Sequence, residues 1–501
     1  MLAMWHPLGS SRASSGNNTA WANAFAEEVV HLRSRGVTYV ESSNFLRTII
    51  RNSKLRFTDI RDDPKKFFLA HRLLAQHAPA HGPGFWIRFT VQFNLFAGTV
   101  VALGGSGHLK LLDEIQRDGE LGCFCLTEKL AGVNSGLVVN TTAHYDSRKQ
   151  KFILNSPTEG SKKNWISQGL TAEWAVVVAD LAMDGERLGP HGFLVRMRDS
   201  SPQKNLLPGV VVGDMGEKTT GTDLDNAWVK FDNYEVPRES LLDKYGGVGS
   251  DNVYKKKTKN APKPMEMIGQ RLFTGRVAVA QAALVFSKKL YANTREYSDS
   301  KMCAMRGDTP YLTDVPQLKA LYEEAEMRFK TLDAFVDGCE ENLCKYLVAG
   351  SVPAYELTRA IAVAKIKSVE TCVELCHRLK QEVGSYALMS GTGFEHTDFL
   401  QCCKFAEGDS RILSQKIARD AYGEFGRAKR KGLESVPGWS AKEMQACTAV
   451  HLAVASATGK GLSKIQAWDG AWRQVYALAE SVCERVMSEA FEGSKTLSAK
   501  L

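Results

Sequence analysis

What most constrains this chain is that its hydrophobic period changes twice, from helical to alternating and back to helical. From Ala22 to Arg117 apolar residues recur at three- and four-residue spacing, as in Phe67, Phe68 and Leu69 with Leu73 and Leu74, and again from Leu109 to Ile115. From Gly122 to Pro237 they give way to short β-rich runs between turn residues: Gly136 to Tyr145, Lys151 to Asn155, Trp174 to Leu181, Gly192 to Met197, Gly209 to Val212 and Ala227 to Phe231. The turn Asp146-Ser147 predicts a hairpin. The helical period returns in Gly275 to Tyr297, Pro316 to Phe335, Pro353 to Val383 and Ser410 to Phe425. Helices, then strands, then helices predict an α+β arrangement and not a doubly wound sheet. The expected divisions are an N-terminal helical domain (1–118), a central antiparallel β domain (119–242), a linker (243–263), a C-terminal helical bundle (264–430) and a short extra helical region (431–501). The linker carries three glycines and the run Lys255-Lys256-Lys257, and it reads as a solvated loop, with a phosphate contact as the alternative. Past the break at Pro437 and Gly438, Ala441 to Phe491 predicts two more helices before a polar tail.

Composition narrows the class. With 501 residues, 44% hydrophobic and 24% charged, the chain is long and apolar enough for a large buried core, which excludes disordered and fibrous classes. A net charge of +8, scattered over that length, gives no sign of nucleic-acid binding. The 11 cysteines show no repeating spacing and predict reduced thiols; Cys123/Cys125, Cys372/Cys376 and Cys402/Cys403 have no partner pair at ligand spacing, so no metal site is expected. The most apolar window, Phe89 to Gly105, is broken by Gln92 and Asn94, and no membrane span is expected. The first 26 residues lack Asp and Glu and read as a frayed tail. The chain stops at Ala499-Lys500-Leu501, a variant of the Ser-Lys-Leu peroxisomal address. Glycine-rich dinucleotide loops, phosphate-binding loops and nucleophile elbows are absent, and Gly391-Thr392-Gly393 is too short to count as one.

A series of segments stands out by its order. Gly122 to Glu128 (GCFCLTE) opens the β region, Lys163 to Gly169 (KNWISQG) lies inside it, and Phe231 to Leu242 (FDNYEVPRESLL) closes it; Phe405-Ala406-Glu407-Gly408-Asp409 comes late in the helical part. Together these resemble the acyl-CoA dehydrogenase and acyl-CoA oxidase superfamily, from Phe93 to Ala421. Leu111 to Ile115, Phe152 to Thr158, Gly209 to Asp214 and the Asp-Asn-Tyr closure look specifically like acyl-CoA oxidases.

The resemblance implies an acyl-CoA dehydrogenase-like fold, FAD as cofactor, a homodimer and a set of site residues. Thr127 and Trp165 match the positions that supply a donor and a flat wall to the flavin; on the residues alone they read first as a structural cap and plain core. Ile166 and Ser167 match the segment that holds the flavin and its diphosphate, with Gly169 allowing a close backbone approach. Gly391 and Gly393 match the glycine-rich cofactor segment. Glu407 matches the catalytic base that removes the proton next to the thioester carbonyl, a task that needs a carboxylate in an apolar setting; without the resemblance it is an ordinary loop carboxylate. Gly408 leaves room for substrate, and Asp409 in place of the usual Thr favours the oxidase branch. Arg276 matches an arginine at the start of a long helix beside the base, its plain alternative being a surface ion pair.

Three departures from the family stand out. Ser300, followed by Lys301, replaces an arginine of the diphosphate-binding pair. Ala387 replaces the amide donor of the glycine-rich segment, and the stretch from Gly393 to Glu407 is short. The implied activity is oxidation of acyl-CoA to trans-2-enoyl-CoA with electrons passed to molecular oxygen, in a peroxisome reached through the import receptor that reads the C-terminus. An acyl-CoA dehydrogenase with a flavoprotein acceptor and a non-catalytic acyl-CoA-binding relative are the alternatives. Only about 70 residues follow Arg430, fewer than in long oxidases.

Overall fold

The protein is described from a computed structural model covering residues 16–30, 37–77, 82–132, 138–257, 262–304, 308 and 310–498. Its N-terminal part is helical: α1 (Gly16–Val30), α2 (Tyr39–Asn52), α3 (Asp59–Asp62), α4 (Pro64–His77), α5 (Pro83–Thr90), a π-helical stretch Val91–Ala97, α6 (Gly98–Leu103) and α7 (Ser106–Asp118). A capping box starts α2, where Thr38 Oγ1 accepts from the Glu41 amide and Glu41 accepts from the Thr38 amide. Residues 16–26 are helical and not a frayed tail, because Trp21 and Phe25 stack one turn apart and Phe25 is fully buried. The run Pro83–Leu103 has the length and composition to cross a membrane, yet 89% of its apolar window is buried inside the protein, where it serves as the core helix.

The middle of the chain forms two sheets. The larger orders its strands β1 (Gly122–Cys125), β5 (Trp174–Met183), β2 (Thr142–Asp146), β3 (Lys151–Asn155) and β9 (Tyr234–Pro237), with β6 (Glu186–Arg196) also on β5. The smaller orders β4 (Lys163–Ser167), β8 (Asn226–Phe231) and β7 (Val210–Asp214). Most pairs are antiparallel, including the expected β2–β3 hairpin, but β1 and β2 both run parallel to β5 because long crossovers separate them in the chain. Part of the run predicted from Gly136 lies outside the described residues, and the observed strand starts at Thr142. The stretch read as a solvated loop holds a two-stranded ribbon, β10 (Gly246–Val248) with β11 (Tyr254–Lys256), fastened to the sheet by a 2.9 Å hydrogen bond between Tyr254 Oη and His191 Nε2. Two of its three lysines are engaged, Lys255 by Asp251 and Lys257 by Asp243.

Helices resume with α8 (Pro264–Ser300), α9 (Pro316–Ala349), α10 (Tyr355–Val383), α11 (Phe399–Phe405) and α12 (Ser410–Arg430). Proline at the first helical position opens α8 and α9, and Gly350 in the left-handed region closes α9. Three further helices follow where two were expected: α13 (Ala441–Gly459), α14 (Lys464–Gly470) and α15 (Trp472–Ser498). The last replaces the expected polar tail, and Ala499-Lys500-Leu501 lies outside the described residues. All 11 cysteines are free, and no group able to hold a metal ion occurs among the described residues.

Candidate active site

Two neighbouring strand ends carry the first part of the site. Glu128 and Lys163 pair across the strands, and their side chains form a 3.0 Å ion pair that is fully buried. Two charges are tolerated there because both are saturated: Lys163 Nζ also donates to the Leu126 and Val178 carbonyls, and Glu128 accepts from the Asn140 and Thr141 amides. The residues beside this pair are thereby fixed, and the Asn164 amide donates to the Thr127 carbonyl at 2.8 Å. Thr127 is exposed at the end of β1. Trp165 adopts a φ of 58°, uncommon for a bulky residue, and leaves its side chain 57% exposed while the next residue, Ile166, is 2% exposed. Ser167 is half-buried and accepts from Asn226 Nδ2 at 3.2 Å. The close approach at Gly169 is to β8: a β-carbon there would meet Ala227 Cβ at 2.6 Å, so this glycine serves strand packing.

The second part is the turn between α11 and α12. Glu407 sits in it at φ 56° and Gly408 at φ 98°, a consecutive left-handed pair that turns the Glu407 side chain back onto α8. Oε1 lies 3.4 Å from Asn94 Nδ2, while Oε2 is buried with no hydrogen-bond partner. Desolvation raises the carboxyl pKa to about 7, against the smaller opposing pulls of Asn94, Arg276 and Lys365. The apolar setting does not come from the sequence neighbours, since Phe405 is 62% exposed; it comes from the helices on which the turn lies.

Arg276 is well inside α8, not at its start, because that helix begins at Pro264. It makes no ion pair among the described residues; Nε donates to the Glu407 carbonyl at 3.0 Å. Gly408 leaves the space its guanidinium needs, a β-carbon there falling 3.3 Å from Arg276 Nη2. Lys365, fully buried on α10, donates to the Lys404 and Gly408 carbonyls and to Ser410 Oγ, so it grips the turn on both sides of Glu407.

The π-helical stretch joins the two parts. Gln92 accepts from the Gly122 amide and from Gln168 Nε2, reaching β1 and the end of β4, while Asn94 two residues later reaches Glu407. A second bridge runs from the Trp165 amide to Met215 Sδ, and the loop after Met215 meets α11 at Gly221 and Cys402. Sequence reading missed Asn94, Gly275 and Lys365. The only signal was polar or small residues inside apolar helical runs.

Gly391 and Gly393 are not brought to this cluster. They lie beyond the end of α10, where both amides are held by the Glu395 carboxylate and Gly393 packs near Leu290 of α8. Ser300 is exposed and donates to the Tyr297 carbonyl, and Ala387 is buried. A surface groove of about 800 Å³, lined by His108, Trp174, Arg196, Tyr234 and Glu239, contains none of the site residues.

A helical domain, a two-sheet middle domain and a helical bundle, with a buried carboxylate on an interhelical turn and an exposed indole on a sheet edge, define the fold of acyl-CoA dehydrogenases and oxidases. Residues 123–234 match the acyl-CoA dehydrogenase middle domain. The chain is similar to human peroxisomal acyl-coenzyme A oxidase 3 (36% identical over 218 residues, covering 43% of this chain and 31% of that one). It is also similar to acyl-coenzyme A oxidase 3 of Yarrowia lipolytica (27% over 421 residues, 78% and 57%). Among solved structures, acyl-CoA oxidase-2 of Caenorhabditis elegans, bound with FAD, ascaroside-CoA and ATP, superposes with a TM-score of 0.76 at 19% identity over 95% of this chain and 75% of that one. Butyryl-CoA dehydrogenase of Megasphaera elsdenii gives 0.60 at 17% identity over 81% and 97%. The middle of the chain thus matches the acyl-CoA dehydrogenase family, the fold is that of acyl-CoA oxidases and dehydrogenases, and both curated relatives described are acyl-CoA oxidases. It spans 31% and 57% of the length of the two curated relatives described.

Proposed function

We propose that this protein is an FAD-dependent acyl-CoA oxidase that converts acyl-CoA to trans-2-enoyl-CoA, with molecular oxygen taking the two electrons and two protons as hydrogen peroxide. The carrying observation is Glu407: a buried carboxylate with one oxygen unpartnered and a pKa raised to about 7 is equipped to take a proton from carbon near neutral pH. Arg276 and Lys365 fix the turn through its carbonyls without pairing with the carboxylate, so the base keeps its strength. Asn94 sets the direction of Oε1 and leaves Oε2 for the α-proton.

The residues around Trp165 fit a flavin. An indole left more than half exposed by a left-handed backbone, flanked by the accessible Thr127 and the half-buried Ser167, is a flat apolar wall with hydroxyl partners at its edge. FAD, when bound, supplies the two-electron acceptor for the hydride of the β-carbon. Gly391 and Gly393 would serve a cofactor only from the partner protomer of a homodimer. Peroxisomal residence follows the same reading and the names of the relatives.

A second reading is an acyl-CoA dehydrogenase with a flavoprotein acceptor, since the same fold is shared with the butyryl-CoA dehydrogenase. The test is to load the protein with FAD, add acyl-CoA in air, and follow flavin bleaching and peroxide together. Bleaching with peroxide, abolished by Glu407→Gln, supports the oxidase. Bleaching without peroxide supports the dehydrogenase, and failure to bind FAD sinks both.

A further inference from the structure

On α8, Arg271 lies one helical turn before Gly275, the residue beneath the Glu407 carboxylate, and therefore on the same face. It is 3% exposed and in no ion pair among the described residues. Its Nε is buried without a hydrogen-bond partner, and Nη2 is given only to the neutral Gln270 Oε1. The guanidinium packs on α6, where a β-carbon at Gly98 would stand 3.1 Å from Arg271 Cδ and 3.5 Å from Nη1. Asn94 ties it to the base, because Nδ2 lies 3.0 Å from the Arg271 carbonyl and 3.4 Å from Glu407 Oε1.

The charged and titratable groups around Arg271 do not neutralise it. Lys244 is likewise in no ion pair among the described residues, and Arg61 pairs only with its neighbour Asp62. Tyr245, whose hydroxyl donates to the Gly350 carbonyl, is held protonated by burial. A buried arginine with a free donor and no counter-charge is costly unless something anionic meets it. Planar guanidinium suits a carboxylate.

We propose that Arg271 is a specificity-determining residue that receives a carboxylate at the far end of the substrate's acyl chain, so that the preferred substrates are coenzyme A monothioesters of dicarboxylic acids. This rests on the reading of Glu407 as the base. With the α-carbon at Glu407, the chain runs along α8 and α6 towards Arg271, with Lys244 adding to the positive potential.

The test separates binding from chemistry. In the FAD-loaded Glu407→Gln protein, affinities for adipyl-CoA and suberyl-CoA are compared by calorimetry with those for hexanoyl-CoA and octanoyl-CoA. The dicarboxylic thioesters are expected to bind about tenfold tighter or better, as for a charged hydrogen-bonded pair. Adding Arg271→Met should abolish that preference, and Arg271→Lys should restore part of it. Equal or weaker binding of the dicarboxylic thioesters overturns the proposal even if the methionine variant does not fold, and so does an equal loss for both classes in that variant. Turnover by the protein with Glu407 intact is measured beside it. A clear binding preference with no turnover of any thioester would locate the failure in the reading of Glu407; turnover without the preference would locate it in Arg271.

Discussion

The carboxyl carbon of Glu407 lies 2.1 Å from the point where a β-carbon on Gly275 would stand. That separation is far inside van der Waals contact, so the Glu407 carboxylate occupies the volume that any side chain at 275 would claim. Gly275→Ala removes the helix-interior penalty of glycine, worth up to about 1 kcal/mol, yet must push the carboxylate aside. Since displacing a reacting group by about 1 Å can cost roughly 100-fold, kcat/KM should fall steeply while the thermal midpoint stays close to that of the parent. An alanine variant with undiminished kcat/KM would show that Glu407 does not act from this position.

Part of this was legible in the sequence. The three-part fold followed from the change of period, because Trp174 to Leu181 and Lys151 to Asn155 are bounded by turn residues and match β5 and β3 closely. Glu407, Thr127 and Trp165 were reached only through the ordered resemblance. The parallel pairing of β1 with β5 was not legible, since register across a crossover leaves no local mark. Nor were Asn94, Gly275 and Lys365, whose roles arise from contacts between elements far apart in the chain. The β10–β11 ribbon was hidden because a polar segment pinned by side-chain hydrogen bonds from distant residues, such as His191 to Tyr254 and Tyr145 to Asn252, has the composition of a loop.

The raised pKa of Glu407 gives two opposite pH dependences. If Glu407 is the base proposed, its carboxylate form is the active one, so kcat/KM should rise with pH through a midpoint near 7, and Glu407→Gln should lose roughly 100- to 10,000-fold activity and the rise with it. Stability runs the other way. A carboxyl whose folded pKa lies above its unfolded value favours the native state most below the unfolded pKa, and that contribution disappears as pH rises through 7. By pH 8 the buried charge costs on the order of 3 kcal/mol, so Glu407→Gln should unfold at higher urea than the parent there and show no such gain near pH 4. A parallel pair of urea midpoints at the two pH values would contradict the assignment.

Trp165 is a case where stability and binding should separate. A side chain 57% exposed contributes little to folding, so Trp165→Ala should change the unfolding free energy of the FAD-free protein by no more than about 1 kcal/mol. Loss of the flat wall should weaken FAD binding at least about tenfold, measured by flavin fluorescence titration. A large drop in stability with FAD affinity unchanged would place the indole in the core instead.

The Glu128–Lys163 pair sets Thr127 and Trp165 side by side, and it does so at zero exposure of both side chains. Removing one partner leaves the other as an uncompensated buried charge, which costs about 3–5 kcal/mol, whereas removing both with apolar residues of similar size can be nearly neutral. Lys163→Met and Glu128→Leu should therefore each destabilise strongly, and the double variant should recover much of the loss; a urea double-mutant cycle checks this. The recovered fold should still bind FAD less well, because the carboxylate also accepts the Asn140 and Thr141 amides, and the segment beside Thr127 loses that anchor with it. Full recovery of stability together with full FAD affinity would mean that the pair neither orders the wall nor sets its geometry.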